Sequence, residues 1–221
     1  MALDTKRIVT EWLPEEQYVK QAQPKTQIVI HHTVSGEGVE GDISWWRSTK
    51  ERIATAFLIM RNGTIVQTFE SKFWASSLGI KAEALKAKGF KDYGSRGLRL
   101  EKGNIGIELD SWGGLTYSPN GWKNTGGGIM KHDQIIEYPK PYRGFKAFEK
   151  YTPAQLGALK DLIEFLAETY KIPTAYNPDM FEVSIAALGG RAGIWTHTSF
   201  RADKNDCHPQ PELIEMLKSL K

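Results

Sequence analysis

The dipeptide Asn62-Gly63 stands between two apolar runs, AFLIMR at residues 56–61 and TIVQTF at residues 64–69. Both residues tolerate a positive φ, so this pattern predicts a β-hairpin closed by a type I′ turn. A chain that must contain an antiparallel pair is not an all-helical bundle, and the remaining signals add strands and helices in alternation. Residues 27–31 (QIVIH) are short, apolar and β-branched, which suits a buried strand. Residues 104–110 (NIGIELD) alternate, placing Ile105, Ile107 and Leu109 on one face and Asn104, Gly106, Glu108 and Asp110 on the other. Glu108 therefore shares its face with a glycine, which leaves room beside it.

Thr152-Pro153-Ala154-Gln155 has the form of a helix start, with Thr152 as N-cap, Pro153 at the first helical position and Gln155 completing a capping box. Leu156, Leu159, Ile163, Leu166 and Tyr170 then recur at helical spacing until Pro173. Residues 194–198 read as a further short strand, and residues 211–220 as a closing helix. These elements predict an α/β (α+β) fold, with a central mixed β-sheet covered by helices in a single domain. Residues 1–25 read as an N-terminal arm. Residues 26–221 form the main domain, with a mostly irregular surface insertion at about 111–150 that is rich in Gly, Asn, Ser, Trp and Tyr.

Composition narrows the function classes. A net charge of +3 is too small for a nucleic-acid-binding footprint, and no partner of that kind is expected. No window holds a membrane-spanning apolar run, and the first twenty residues lack an apolar signal core. Synthesis and retention in the cytoplasm, or exit by another route, are the expectation. One cysteine, Cys207, rules out an intrachain disulfide, so its thiol is buried, reactive or a ligand.

Four of the five histidines fall in two places: His31 and His32 end the first buried strand, and His197 and His208 lie near the C-terminus. A catalytic zinc needs three His, Cys or carboxylate ligands and an open position, and His31, His197 and Cys207 meet that need. The plain alternative is a hydrogen-bonded strand-end histidine and a small buried thiol. An HExxH helix, CxxC pairs and Gly-rich phosphate loops, which mark other site types, are missing.

Ile30-His31-His32-Thr33 after an apolar strand, Asn104-Ile105-Gly106-Ile107-Glu108, Tyr151-Thr152-Pro153-Ala154-Gln155 before a helix, and His197 through Lys204 to Cys207 occur in this order. Together they resemble the type 2 N-acetylmuramoyl-L-alanine amidases, which include phage endolysins and peptidoglycan recognition proteins. The resemblance runs from about Thr26 to about Leu217 and makes residues 26–221 an amidase catalytic domain. It implies Zn2+ held by His31, His197 and Cys207, with His32 as a structural neighbour. Cys207-His208-Pro209 departs from the family's Cys-Pro-Gly, which leaves Asp206, and less so His208, as alternative ligands. The family's acid or base is a Glu in the Ile-Gly-Ile-Glu strand or, in some members, a Tyr just before the hairpin strand. Thr55 stands where that Tyr would be, so the resemblance points to Glu108, with Lys204 stabilising the oxyanion.

The implied partner is peptidoglycan or its muropeptide fragments, cut by a monomer. An endolysin released by a holin and a cytoplasmic enzyme that recycles wall fragments both accommodate this, with the endolysin favoured. Trp45, Trp46, Trp74, Trp112 and Trp122 lie in segments able to line a glycan groove, and at least one of Trp45 and Trp46 must face inward. The rival readings are a non-catalytic wall-binding module and a structural metal clamp, the latter needing a fourth ligand such as His208.

Overall fold

Strand β2 (Gln27–His32) is buried along its whole length, the signature of an interior parallel strand shielded on both faces. A computed structural model describes residues 8–220 and places β2 within a six-stranded sheet of order β1-β4-β3-β5-β2-β10. The other members are β1 (Ile8–Thr10), β3 (Phe57–Ile59), β4 (Ile65–Gln67), β5 (Asn104–Leu109) and β10 (Gly193–Thr196). β5 and β10 flank β2 in parallel, and β3 runs parallel to β5 but antiparallel to β4, so the sheet is mixed as expected. Of the expected N-terminal arm, residues 1–7 lie outside the described residues, and Ile8–Thr10 adds to the sheet edge beside β4.

Helix α4 (Pro153–Tyr170) lies against β3 and against α6 (Pro211–Lys218), burying Leu156, Leu159, Leu162, Ile163 and Leu166. The capping box forms: the Thr152 side chain accepts from Gln155 N at 3.0 Å, and Gln155 Oε1 accepts from Thr152 N at 3.0 Å. The helix ends at Tyr170, with Lys171 left-handed, before Pro173 is reached. Helix α1 (Glu40–Ser48) buries Trp46 and leaves Trp45 outside, which answers the question posed by that pair. Helices α2 (Ala82–Ala87), α3 (Tyr93–Gly103) and α5 (Ile185–Leu188) had no clear sequence signal. α3 carries glycines at 94 and 97, low-propensity residues that hide a helix whose docking rests on Leu100 and Glu101.

Two expectations about turns and loops are corrected. The Asn62-Gly63 hairpin forms, but Asn62 does not have a positive φ; Gly63 alone does, at 85°. Gly63 N donates to Met60 O and Met60 N to Thr64 O, a three-residue loop in which one left-handed glycine follows the turn. A two-residue turn with positive φ at both positions occurs instead at Arg143-Gly144, with φ values of 48° and 89°. It joins strands of a second sheet in the segment expected to be irregular, residues 111–150.

That sheet is four-stranded and antiparallel, in the order β7 (Gly121–Lys123), β6 (Gly114–Ser118), β9 (Phe145–Glu149), β8 (Ile135–Tyr142). Its strands were concealed because β8 contains Pro139 and Pro141, which normally break a ladder. They are tolerated because β8 is an edge strand with a register irregularity between Glu137 and Tyr142. The second sheet is tied to the first by Arg61. Its guanidinium donates from Nε and Nη2 to Glu149 at 3.0 Å each, and from Nη1 to Asp110 Oδ1 at 2.5 Å.

Candidate metal centre and its groove

Because β2, β5 and β10 are parallel, their carboxyl ends lie at one edge, the side of an open α/β sheet where sites form. The register sets His31 beside Glu108, and Thr196 beside Ile30, so His197 emerges one residue further on, next to His31. His31 Nδ1 and His197 Nδ1 are 3.0 Å apart. Asp206 Oδ2 completes a triangle, 2.9 Å from His197 Nδ1 and 3.3 Å from His31 Nδ1. All three residues are buried. Tetrahedral zinc with bonds of about 2.0 Å sets its ligand atoms about 3.3 Å apart, so these donors fit a metal of that kind without rearrangement. Two imidazole nitrogens and one carboxylate oxygen are also a donor set that zinc accepts.

Electrostatics favour the states a ligand needs. Burial, then the neighbouring His197, brings His31 down to about 4, so its ring is neutral near pH 7 with a lone pair available. Burial opposes charge on Asp206, yet the two histidines hold its carboxyl well below the usual carboxylate range. His197 Nε2 lies 3.0 Å from Leu78 O. A carbonyl only accepts, so Nε2 donates a proton to it, and the ring is held with Nδ1 facing the cluster. His31 Nε2, by contrast, is buried with no partner.

Cys207, expected as the third ligand, is not brought into this group. Its sulfur is fully buried and donates to His31 O at 3.3 Å, and burial pushes the thiol well above its ordinary range. Of these two adjacent residues it is Asp206 whose side chain faces the histidines, while the Cys207 sulfur is turned to the His31 carbonyl. Side-chain alternation along β2 sends His32 away from His31. Its Nδ1 is 2.9 Å from Tyr151 Oη and its Nε2 3.0 Å from Asn205 Oδ1, so it braces the loop that carries Asp206. His208 is engaged elsewhere, with Nδ1 at 2.7 Å from Tyr138 Oη and Nε2 at 3.1 Å from Glu149 O.

The donors lie at the floor of a groove of about 260 Å³ that is also lined by Glu108, Lys204, Thr55, Asp42 and Trp45. Glu108 Oε2 is buried and without a hydrogen-bond partner. Burial, with the charges of Asp206 and Asp42 adding and Lys204 opposing, holds the Glu108 carboxyl well above the usual carboxylate range. Thr55 occupies the room expected beside Glu108: a Cβ at Gly106 would come within 2.7 Å of Thr55 Cγ2. Its hydroxyl is spent on Phe57 O at 3.0 Å. Of the tryptophans considered, Trp45 and Trp46 line this groove, whereas Trp112 packs near Gly36 and Gly126, and Trp122 donates to Glu137 Oε1. Asp42 escaped sequence reasoning, because one carboxylate on a polar helix turn has no distinguishing pattern.

Several solved structures share this fold. One is described as the structure of PlyL, with a TM-score of 0.53, 12% identity, and coverage of 96% of this chain and 97% of that one. N-acetylmuramoyl-L-alanine amidase LysC from Clostridium intestinale URNW gives 0.50 at 15% identity, over 97% of this chain and 98% of that one. A mutant endolysin from Bacillus subtilis gives 0.51 at 12%, over 99% and 97%. No curated protein sequence matches the chain. The sequence model of one family, N-acetylmuramoyl-L-alanine amidase, matches residues 21–211, a span that contains every donor of the cluster together with Glu108 and Lys204. The chain therefore belongs to the N-acetylmuramoyl-L-alanine amidase family.

Proposed function

We propose that this protein is a zinc-dependent hydrolase that cuts the amide between the muramyl lactyl group and L-alanine of peptidoglycan. The observation that carries the reading is the convergence of His31, His197 and Asp206 at the floor of a groove, beside a Glu108 oxygen that has no partner. His31, His197 and Asp206 would hold the metal, with Asp206 in the place first assigned to Cys207. Zinc, when bound, supplies Lewis acidity toward water and toward the scissile carbonyl.

The chain's own groups do the rest. Glu108 accepts the proton of the attacking water on its unpartnered oxygen and delivers it to the leaving amine nitrogen, a role suited to a carboxyl that burial holds above the usual carboxylate range. The Lys204 ammonium, lining the same groove, faces the negative charge that develops on the carbonyl oxygen. Trp45, half exposed at the groove, offers an aromatic face to a sugar ring or a stem-peptide methyl. A lytic role at the cell wall, reached through a holin-type opening, accords with the endolysin among the structural relatives. Among the described residues no helix is long and apolar enough to cross a membrane.

The test is digestion of purified peptidoglycan with and without a chelator, read by mass spectrometry for stem peptides with a new L-alanine amino terminus. Their appearance, and their loss with chelator, is the expected result. Sedimentation with the wall and no cleavage would replace the reading with a binding module. Glu108→Gln should abolish release while zinc still binds; full activity in that variant removes Glu108 from the chemistry.

A further inference from the structure

His197 is the only one of the two imidazole donors whose outer nitrogen is anchored, and the anchor is a backbone carbonyl in an irregular loop. A loop carbonyl holds a ring in place only if something fixes the loop. Between β4 and α2, residues Ser77, Leu78 and Gly79 turn three successive N–H groups onto one carboxylate, that of Glu101 in the last turn of α3. Glu101 Oε2 accepts from Ser77 N at 2.9 Å and Leu78 N at 3.1 Å, and Oε1 accepts from Leu78 N at 3.1 Å and Gly79 N at 2.8 Å. Gly79 has a φ of 57°, the left-handed conformation that lets consecutive N–H groups converge into an anion-holding nest. Glu101 is 8% exposed and Leu78 fully buried, so water competes weakly for either.

The peptide that gives its N–H to Glu101 and the carbonyl that receives the His197 proton belong to one residue, Leu78. We infer that Glu101 is a positioning residue for the metal centre: by clamping the 77–79 loop it aims the Leu78 carbonyl at His197 Nε2 and so keeps Nδ1 turned toward His31 and Asp206. This rests on the proposed metal site, and it extends that site by two layers, to an element that sequence reasoning left without a function. A carboxylate is the group the nest requires, because it presents only acceptors to three donors.

The experiment compares the wild-type chain with Glu101→Gln, which keeps the volume but turns an NH2 group toward the nest. Glu101→Asp, which keeps the charge and shortens the reach, is the milder variant should the amide fail to fold. Leu166→Val on α4 serves as a control for general destabilisation. Long-range 1H–15N NMR on chelator-treated protein reads the His197 Nε2–H that bonds the Leu78 carbonyl, with the signals assigned against His197→Gln. Zinc affinity is read by competition with a chromophoric chelator. The wild type and the control should show one exchange-protected His197 Nε2–H signal. The Glu101 variants should show that signal broadened or lost by exchange and zinc binding weakened by roughly 10–100-fold, the range for loss of an outer-shell partner. A wild-type Nε2–H signal and unchanged affinity in a folded Glu101 variant would overturn the inference, as would equal losses in the Leu166→Val control. If no form of the protein binds zinc, the functional reading fails, and the His197 Nε2–H signal still decides the role of Glu101.

Discussion

Replacing Arg61 with Met removes the one cation that holds two buried carboxylates between the sheets. The Arg61 side chain is 12% exposed, that of Asp110 0% and that of Glu149 5%, so little water can replace the lost partner. Breaking a buried pair by deleting one member costs about 3–5 kcal/mol, because the remaining charge stays desolvated. For a chain of this size each kcal/mol moves the melting temperature by roughly 2–4 °C, so a fall of about 6–20 °C is expected. The pH dependence follows from Asp110, whose carboxyl burial pushes up to about 6 even with Arg61 beside it. A folded pKa above the unfolded value means that the folded state binds more protons between roughly pH 4 and 6, and that the group's contribution is lost as pH rises through the folded value. Without Arg61 this window moves to higher pH, so the variant's deficit should be largest near pH 8 and shrink toward pH 5. Urea titration at both pH values measures it. A loss under about 1 kcal/mol near pH 8, or a deficit that does not shrink on acidification, would refute the reasoning. Adding Asp110→Asn and Glu149→Gln to the variant should recover much of the loss, since Gly38 N and Trp112 N keep their acceptors.

Zinc should raise the melting temperature by roughly 5–11 °C at a free concentration about a hundredfold above Kd, and calorimetry should find this shift lost in Asp206→Ala but kept in Cys207→Ser. Lys25, whose ammonium donates to Phe73 O, Lys102 O and Asn104 O at 2.7 to 3.0 Å, is pushed down by burial to about 7. Its folded value lies below the unfolded one, so the contribution of this group to stability is full above about pH 10.4 and lost as pH falls to 7. Lys25→Met should flatten that slope in urea titrations at pH 7 and 9. Gly106→Ala should cost about 1–3 kcal/mol by overpacking against Thr55 and lower kcat by disturbing the strand that carries Glu108. Thr55→Gly should relieve both effects, and a Gly106→Ala variant as stable and active as the wild type would contradict the close contact.

The sequence by itself determined the elements whose signals are local. Apolar β-branched runs marked β2 and β5, and the Thr152 capping box marked α4 to within a residue at its start, because both patterns depend on neighbours in the chain. The pairing of His31 with His197 and the place of Glu108 were legible through the family resemblance and the period of the strands. The identity of the third donor was not, since Asp206 and Cys207 are adjacent, both are ligand types, and chain direction at that point decides which one faces inward. The second sheet was hidden by prolines that only an edge position excuses. Glu101 was hidden most completely. Its partners lie more than twenty residues away in a loop without secondary structure, and a carboxylate near a helix end looks like any solvated charge until packing closes water out around it. Tertiary structure decided these matters because burial, the direction of a side chain and the convergence of distant N–H groups are properties of the packed chain and of no single segment.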